Sequence, residues 1–420
     1  MRARYVYSAC IVIETDDVRI CCDPWFTPGI YDGSWYQYPP LDGDPVSIIG
    51  PVDAIYISHI HPDHYDSDFL RRYLTAYPET RLLIGETEPQ YLARKMKIDG
   101  FVPEVVSQVR IGATTATIIP NHGYFGIDNI DTAIVIERDG QSVVNMNDNP
   151  IDAKQIALVL AACAGRPTLA FLPYSGAGPY PQTYDFDSDA DRDEAIKRKR
   201  EQFLAIYGAY ITALDPEIAV PFAGQYFLGG RLSELNRLRG VCDACEAVAR
   251  YPDRSVVLAD GGAAYIDLDT RSVTESRDEP YGEREVDAYL NELDISGYDY
   301  EREIQPKPFR TLPVMPLLTS AYGRAISRSA TTEPFWFCIS TRPEQFYCFD
   351  TGSDSGILVR SEVDDLEPRC EIIIDERYLF GLLTRMYHWN NAEIGSHYRA
   401  HRVPDVYRSD VYGFLHFLQV

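Results

Sequence analysis

The feature that most constrains this chain is a cluster of histidines and aspartates that directly follows a short apolar run. Residues 53–58 read DAIYIS, and the next eight residues read HIHPDHYD. The apolar run predicts a buried strand, and a short loop leaving such a strand can aim several side chains at one point. Three of the chain's eight histidines fall in this motif. The spacing therefore predicts a metal site and makes an incidental His-rich surface loop the less favoured interpretation.

The side chains of this motif have the chemistry of metal ligands. Imidazole suits zinc and iron(II), and carboxylate favours harder cations such as iron and manganese. His59 and His61 lie one residue apart, project the same way from an extended loop and can hold one ion. Asp63 and His64, after the turn, can hold a second ion.

In this position, the motif resembles that of the metallo-β-lactamase superfamily. The resemblance implies further ligands after later strands, namely His122 in IIPNHGYFG and Asp148, as a bridging carboxylate, in VVNMNDNP. It also implies that Asp23, at the end of RICCDP, hydrogen-bonds a ligand from behind and so orients it. Simple turn roles are the alternative for Asp23 and Asp148.

The chain departs from this superfamily at one position. The superfamily usually supplies a final histidine near the end of its domain, but no histidine occurs between His122 and His388. Where that ligand is expected, the sequence reads VPFAGQYFLGG. Three alternatives stay open: a one-metal site, a second ion held by the motif residues and Asp148 with water, or a ligand from the C-terminal part. In that part His388 and His397 are the candidates, and a packing or surface role is the favoured alternative for both.

The order of the apolar runs predicts the α/β (α+β) class and two domains. A hairpin with Asp-Gly at its turn is predicted in TAIVIERDGQSVVNMND, and a long helix is predicted over 190–213. Strands in runs, interleaved with helices, predict a metallo-β-lactamase αββα sandwich over residues 1–268. We expect a linker with a short helix over 269–310 and a smaller α+β domain over 311–420.

Several further segments resemble CMP-N-acetylneuraminic acid hydroxylase and its bacterial relatives. In chain order they are DPWF, YISHIHPDHYD, YSGAGPYPQTY, VPFAGQYF and HWNNAEIGSH. The resemblance implies an iron-dependent oxygenase that acts on a sugar nucleotide and receives electrons from a Rieske centre. A Rieske cluster needs Cys-x-His ligand pairs, and no cysteine here is followed by a histidine two residues later. Oxygenation by this chain would then need a separate electron donor or reductant.

Two kinds of enzyme and one binding role are compatible with these residues. The favoured function is a non-haem iron or di-iron oxygenase, a hydroxylase or monooxygenase of a small polar or nucleotide-linked metabolite. The alternative is a hydrolase of the phosphodiesterase, lactonase or amidase type, in which metal-bound hydroxide attacks and Asp63 is the catalytic carboxylate. A metal-binding scaffold without catalysis is the third interpretation. We expect one or two metal ions, with iron favoured over zinc or manganese.

Other segments are candidates for substrate contact. The loop YSGAGPYPQTY follows a strand end, and its Tyr174, Ser175 and Gly176 either cradle an anion or sugar or merely turn the chain. Tyr226 lies where the final histidine is expected and is a candidate for the pocket wall. The basic run KRKR at 197–200 is typical of the solvated face of a helix, with a phosphate contact as the alternative.

The charge and the cysteines of the chain limit its partners. Asp and Glu number 63 against 39 Lys and Arg, a formal net charge of -24. Such a field repels nucleic acid and anionic lipid, and no apolar run approaches the length of a membrane span, so we expect neither partner. An anionic substrate would need a local cationic pocket or a metal. Nine scattered cysteines and no signal peptide predict a cytoplasmic protein with mostly buried thiols.

Overall fold

The strands of this protein form from its apolar and β-branched runs, the residue types that fit a pleated sheet. The structure, a computed structural model, describes residues 1–122, 130–163, 165–293, 295–305, 312–329, 331 and 333–420. The strands, numbered β1 to β21 in chain order, are Arg2–Tyr7, Cys10–Glu14, Arg19–Cys22, Trp35–Tyr36, Ala54–Ile57, Arg81–Ile84, Glu104–Val105, Gln108–Ile111, Thr114–Pro120, Thr132–Arg138, Gln141–Asn145, Leu169–Pro173, Ile218–Phe222, Phe227–Leu228, Tyr265–Asp267, Ser272–Thr274, Trp336–Arg342, Gln345–Asp350, Leu358–Arg360, Arg369–Ile374 and Tyr398–Val403.

The helices lie mostly between strands, and about half of those in the described residues begin at a side chain that caps them. The helix predicted over 190–213 is the longest of them, and Ser188 caps its first turn by accepting from the main-chain N–H of Asp191. In chain order the helices α1 to α13 are Ile30–Gly33, Pro45–Ile49, Ser67–Ala76, Tyr91–Ile98, Ala153–Ala162, Asp189–Leu214, Ala244–Arg250, Glu283–Glu292, Asp299–Glu303, Val314–Arg328, Glu376–Leu383, Trp389–Ile394 and Ser409–Tyr412. Two 3-10 segments cover Gly230–Leu238 and Leu415–Phe417.

Two sheets face each other in the N-terminal part. An eight-stranded sheet has the order β16-β15-β1-β2-β3-β5-β6-β7, and a six-stranded sheet has the order β13-β12-β11-β10-β9-β8. Ile11 and Tyr56 of the first sheet share one buried cluster with Ile134 and Leu169 of the second. The main core of this part therefore lies between the sheets.

Helices cover the outer faces of both sheets. Phe69 of α3 packs in a buried cluster with Ile55 of the first sheet. Val159 of α5 and Tyr207 of α6 pack in another cluster with Val135 of the second sheet. These layers form the αββα sandwich, so the predicted fold class is confirmed.

Strand β10 shows how the sequence specifies these layers. Ala133 and Val135 face the helices, whereas Ile134 and Ile136 face the opposite sheet. Because both faces are buried, the strand is a continuous apolar run rather than an alternating one. It pairs with β11 through the predicted hairpin, with Arg138 opposite Gln141.

One edge of the sandwich collects polar residues from several strand ends. Strands β3 and β5 are parallel, so Asp23 and Ser58, which follow them, leave the sheet at the same edge. Strand β10 runs antiparallel to β9 and pairs Thr132 with Pro120. Asp131, just before β10, therefore lies beside the end of β9. This edge is where a cluster of ligands can form.

The C-terminal part has a sheet and a core of its own. Its five strands have the order β19-β18-β17-β20-β21. Leu318 of α10 and Leu379 of α11 pack with Phe337 and Ile372 of this sheet in one buried cluster. A smaller α+β unit thus follows the sandwich, as the sequence predicted.

The two parts are joined by direct backbone contacts. The main-chain N–H of Asp185 donates to the carbonyl of Ala400 at 2.8 Å, and the N–H of Ala400 donates to the carbonyl of Thr183 at 2.9 Å. The indole Nε1 of Trp35 donates to the carbonyl of Ile394 at 3.2 Å. The C-terminal part is therefore packed against the site edge of the sandwich.

The segment predicted as a linker, residues 269–310, holds more regular structure than expected. Strand β16 pairs with β15 and so extends the first sheet beyond residue 268, and both α8 and α9 follow it. A three-residue edge strand is too short for its pattern to stand out in a sequence. The predicted division at residue 311 lies outside the described residues and stays a prediction.

The cysteines match the expectation of buried thiols. All nine are free, and all except Cys245 are buried. Among the described residues, no helix combines the length and the apolar composition needed to cross a bilayer.

Candidate metal centre

The loop after β5 is fixed by hydrogen bonds from neighbouring strands. The main-chain N–H of Ser58 donates to Oδ1 of Asp23 at 2.7 Å, and the hydroxyl of Thr132 donates to the carbonyl of Ser58 at 2.8 Å. All three residues are buried. The loop that carries the histidine motif therefore leaves the sheet in a defined direction.

His64 is buried between three carboxylates. Its Nδ1 lies 3.0 Å from Oδ2 of Asp23, which places Asp23 directly behind the ring. Its Nε2 lies 3.4 Å from a carboxylate oxygen of Asp63 and 3.4 Å from one of Asp148. That nitrogen has no hydrogen-bond partner among the described residues. A buried imidazole nitrogen left without a partner beside two carboxylates is the arrangement that a bound cation satisfies.

His59 and His61 lie next to this nitrogen. Nε2 of His59 is 2.8 Å from Nδ1 of His61, and the ring of His59 is 4.1 Å from that of His64. One ligand atom each of His59, His64 and Asp148 can be chosen so that all three lie within 4.8 Å of one another. Imidazole and carboxylate donors at this spacing fit iron, zinc or manganese.

Burial and the neighbouring charges set the protonation of these groups. Burial, reinforced by the charges of His64 and His61, lowers the pKa of His59 well below its usual value. Burial also lowers the pKa of His61. Although burial opposes a charge on His64, Asp63 and Asp148 raise its pKa well above its usual value. Two neutral imidazoles and a strongly negative pocket around the third favour a bound cation.

Asp131 belongs to this cluster and was missed in the sequence. Its Oδ1 lies 3.5 Å from Nδ1 of His59. Burial, together with the charge of Asp148, raises the pKa of Asp131 to about 7. A sequence signal existed: Asp131 directly precedes β10, and antiparallel pairing brings the start of β10 beside the end of β9.

The structure places His122 apart from these groups. Its main-chain N–H donates to Oδ2 of Asp152 at 2.7 Å, and its Nδ1 lies 3.5 Å from the same atom. Its ring is about one third exposed, and no described group of clustered ligand atoms includes it. Residues 123–129 lie outside the described part of the chain. This arrangement therefore does not support the assignment of His122 as a ligand, and that assignment stays a prediction.

Tyr31 adds a contact to Asp63 that the sequence did not predict. Its hydroxyl donates to Oδ1 of Asp63 at 2.5 Å, and both residues are buried. Tyr31 has a φ of 52°, a left-handed conformation that costs an L-residue roughly 1–2 kcal/mol. Although burial opposes its charge, His64, His61 and this hydrogen bond lower the pKa of Asp63. The Tyr31 hydroxyl therefore keeps Asp63 ionised and oriented.

His397 does not lie among the ligands, which corrects its prediction as a candidate. Its Nε2 is 2.8 Å from the carbonyl oxygen of Tyr31, and its ring packs edge-on against Tyr298 and Tyr300 at 5.1 and 5.6 Å. A tertiary contact thus engages Nε2, and the described group of clustered ligand atoms does not include His397. His397 instead acts on the centre indirectly, by holding the backbone of Tyr31.

His388 also lies outside the ligand group. It precedes α12, where its Nδ1 accepts from the main-chain N–H of Asn390 at 3.2 Å and so caps the helix. Its ring lies 5.5 Å from that of His416. Capping accounts for this histidine, and the described ligand cluster does not contain it.

An aromatic stack occupies the position expected for the final histidine. Tyr226 is buried, and its ring is parallel to that of Trp35 with centroids 3.4 Å apart. Trp35 in turn lies 4.5 Å from the ring of Tyr31. Tyr226 therefore belongs to an aromatic cluster that reaches Tyr31, and its role in the pocket wall stays a prediction.

The first part of the loop at 174–184 packs against α6, and its contact with a substrate stays a prediction. Tyr174 packs in the cluster beneath α6 with Leu204, and its carbonyl accepts from Sγ of Cys242. A Cβ on Gly176 would lie 2.0 Å from the ring of Phe203, so this glycine permits close packing on α6. Ser175 is buried as well.

The second part of that loop does border a cavity. A space of about 480 Å³ lies between the loop and the C-terminal part, lined among others by Tyr180, Tyr184, Arg198 and Glu393. Asn390 also lines it and is within hydrogen-bonding reach of the His61 side chain. Asn390 therefore lies between the cavity and His61.

Known proteins resemble this chain in sequence and in fold. Residues 2–156 match the Beta-lactamase superfamily domain. The "Putative Rieske 2Fe-2S iron-sulfur protein" of Mycolicibacterium smegmatis is 31% identical over 301 residues, which cover 66% of this chain and 54% of that protein. Cytidine monophosphate-N-acetylneuraminic acid hydroxylase of Mus musculus is 25% identical over 243 residues, which cover 53% of this chain and 38% of the enzyme. CmlA, a diiron beta-hydroxylase from Streptomyces venezuelae, matches with 16% identity and a TM-score of 0.40, over 62% of this chain and 53% of that chain.

These matches confirm the resemblance drawn from the motif. The aligned chain spans about half of the length of the mycobacterial relative. The matched domain contains β5 and its loop, and hence His59, His61, Asp63 and His64, together with Asp148. Residues 2–156 of this chain therefore resemble the Beta-lactamase superfamily domain.

Proposed function

We propose that this chain is a non-haem iron enzyme that oxygenates a small polar or nucleotide-linked metabolite. The observation that carries the proposal is the donor set itself. Asp63 and Asp148 lie beside Nε2 of His64, Asp131 lies behind the His59 ring at Nδ1, and among the described residues no further histidine joins the ligand atoms of His59, His64 and Asp148. A carboxylate-rich set with an open position suits iron better than it suits zinc. The similarity to a hydroxylase and to a Rieske-named protein supports the same chemistry.

In this proposal His59, His64 and Asp148 hold the metal, with His61 and Asp63 beside them. When bound, iron would supply the redox chemistry that activates dioxygen. The role of Asp23 is to orient His64 from behind through Nδ1. Tyr31 donates to Asp63 and fixes its carboxylate.

The substrate in this proposal occupies the cavity between the loop at 174–184 and the C-terminal part. Its volume, about 480 Å³, is in the range of small-molecule sites. Four tyrosines and charged groups of both signs line it, so it suits a polar molecule with a ring. Asn390, on its wall, connects it to His61.

The electrons in this proposal come from a donor outside these 420 residues. No cysteine in the sequence is followed by a histidine two positions later, as Rieske ligands require. A separate redox protein or a small reductant would then supply them.

A hydrolase is the second candidate, and Asp131 favours it. Its pKa of about 7, raised by burial and by Asp148, is suited to a general base or acid near neutral pH. Asp131 lies 3.5 Å from Nδ1 of His59, where its carboxylate could hold or release a proton next to a ligand. Phosphodiesters, lactones and amides are the substrates to screen in that case.

The reaction of the metal-loaded protein with dioxygen decides between the oxygenase and the hydrolase. Metal-free protein is reconstituted anaerobically with Fe(II) or Zn(II), reduced with dithionite, desalted and mixed with dioxygen while Mössbauer and optical spectra are recorded. We expect iron at one or two ions per chain that is oxidised within seconds, and no reaction of the zinc form. Iron that stays ferrous in air, with a zinc form that hydrolyses a model ester, would contradict the oxygenase.

A further inference from the structure

Two cations lie side by side near the aromatic stack, one of them half-buried and the other buried. Lys199 lies on α6 in the basic run 197–200, and Arg239 follows the 3-10 segment Gly230–Leu238. The two segments touch, because a Cβ on Gly240 would lie 3.1 Å from Cβ of Lys199. Arg239 is only 6% exposed.

Neither cation has an acidic partner among the described residues. No carboxylate oxygen of that part of the chain lies within 4.0 Å of Lys199 or Arg239, whereas the other buried arginines, Arg369 and Arg402, each have one. This is unexpected in a chain with 63 acidic and 39 basic residues. A pair of buried like charges destabilises a protein unless an anion neutralises it.

The contacts that these cations do make are to neutral groups. Nζ of Lys199 donates to the carbonyl of Tyr180 at 2.8 Å, and Nη1 of Arg239 donates to the carbonyl of Tyr226 at 2.6 Å. Burial, with the charge of Arg239, lowers the pKa of Lys199 to about 7. Carbonyl dipoles therefore orient the two side chains but leave their charge uncompensated.

Tyr226 connects this pair to the metal centre. The guanidinium carbon of Arg239 lies 4.3 Å from the centroid of the Tyr226 ring. The Tyr226 hydroxyl is buried beside the side chain of Arg239, without a well-aligned hydrogen bond among the described residues. The opposite face of the same ring stacks on Trp35, which contacts Tyr31 beside Asp63. A ligand group held here would lie at the wall of the centre.

We propose that Lys199, Arg239 and Tyr226 form a subsite for an anionic group of the substrate, a carboxylate or a phosphate. Two cationic donors and one hydroxyl donor match the acceptor oxygens of such a group. The assignment of the anion to the substrate rests on the proposed function, whereas anion binding itself does not. The subsite would also overcome the repulsion of anions by a chain with net charge -24.

The test measures anion binding without metal, so that a metal-bound anion cannot contribute. Metal-free full-length protein is titrated with inorganic phosphate, and separately with acetate, by calorimetry. We expect Lys199→Gln and Arg239→Gln each to weaken the preferred anion at least 10-fold, and Lys197→Gln, an exposed neighbour in the same run, to leave it unchanged. The stronger of the two anions identifies the group. Equal binding by all four proteins, or no binding by the wild type, overturns the subsite.

Thermal stability separates a binding role from a structural one. Without an anion, Lys199→Met is expected to raise the melting temperature because it removes a repulsive charge. With saturating phosphate or acetate, only the wild type and Lys197→Gln are expected to gain stability. A Lys199→Met protein that melts lower without an anion would mean that the lysine stabilises the fold. If Arg239→Gln does not fold, Arg239→Lys, which keeps the charge, should retain more binding than Lys199→Gln.

The outcome is independent of the metal chemistry. Anion binding by metal-free protein whose iron form does not react with dioxygen would retain the subsite and reject the oxygenase. If the iron form reacts with dioxygen but the metal-free protein binds neither phosphate nor acetate, the oxygenase is retained and the subsite is rejected.

Discussion

At the residue scale, the centre depends on which nitrogen of each imidazole faces which neighbour. Nδ1 of His64 faces Asp23 and Ser58, so Nε2 is the atom left for Asp63 and Asp148. Nδ1 of His59 faces Ser58, so its Nε2 points to His61. Each ring is thus held from behind and presents one nitrogen to a common space, which is the arrangement of a histidine ligand.

Replacement of Asp148 by Asn tests this arrangement. Asn keeps the shape but removes the negative charge 3.4 Å from Nε2 of His64, so a cation is held less tightly. We expect Asp148→Asn to lose at least half of the bound metal after dialysis, by elemental analysis. Asp253→Asn, at an exposed carboxylate, is the control and should keep its metal. Full metal retention by Asp148→Asn would remove Asp148 from the ligand set.

Replacement of Tyr31 by Phe tests the contact with Asp63. Loss of a hydrogen bond to the ionised carboxylate raises the pKa of Asp63, and such supporting contacts typically change metal affinity by about 10–100-fold. We expect Tyr31→Phe to bind Co(II) about 10-fold more weakly, with the binding midpoint displaced to higher pH. Tyr387→Phe loses a similar bond, to Glu303, and should bind Co(II) normally. An unchanged pH midpoint would argue that Tyr31 is only a packing residue.

At the element scale, short polar connections after buried strands position the side chains. Asp66 illustrates this, since it caps α3 through the N–H of Phe69 and also accepts from the N–H groups of Phe26 and Thr27. One buried carboxylate thereby ties the loop after β3 to the helix after the metal motif. The basic run on α6 behaves differently, because neighbouring residues of the run have different surroundings. Lys197 is exposed, whereas Lys199 lies against Arg239.

The Asp66 carboxylate should contribute far more than an ordinary helix cap. Asp66→Ala leaves buried N–H donors without acceptors, so we expect a loss of about 3 kcal/mol in the free energy of unfolding. Asp44→Ala removes an exposed cap of α2, which bonds the N–H of Ser47, and should cost about 0.5–1 kcal/mol. Urea denaturation of both variants measures the difference. Equal losses would show that the loop bonds of Asp66 add nothing to its capping role.

At the scale of the whole molecule, the C-terminal part builds one wall of the site. His397 holds the backbone of Tyr31, the carbonyl of Ile394 accepts from Trp35, and the hydroxyl of Tyr378 donates to Asp32. The tyrosine that contacts Asp63 therefore depends on residues more than 300 positions away. We infer that the two parts act as one catalytic unit.

The half-buried Asp32 should make this packing sensitive to pH. Burial raises the pKa of Asp32 from 3.8 to about 7, so the folded protein binds the proton more tightly than the unfolded chain. Its contribution is most favourable below the unfolded pKa and is lost as pH rises through the folded pKa. Asp32→Asn, which still accepts from Tyr378, should therefore gain more stability at pH 8.5 than at pH 5, by about 1–3 kcal/mol.

Denaturant unfolding of the wild type and of Asp32→Asn at both pH values measures this difference. Asp253→Asn, at an exposed carboxylate, serves as the control for general charge effects. A gain that is the same at both pH values would falsify the assignment of the pH dependence to Asp32.

The sequence by itself determined the sandwich and the core of the centre. Residues 59–64 are adjacent in the chain and follow a buried strand, so local geometry was enough to bring them together. Asp23 and Asp148, carboxylates after apolar strands, were predicted from the resemblance to the metallo-β-lactamase superfamily. The continuous apolar run of β10 and the Asp-Gly turn after it likewise specify the hairpin locally.

Only the tertiary structure decided the rest of the site. Tyr31 and the pair Lys199 and Arg239 have no local pattern that marks them, because their partners lie on other elements. The role of His397 was inaccessible for the same reason: its partner, Tyr31, is 366 residues away in the chain. Residue type shows which chemistry is available, but the packing of distant segments decides which groups meet.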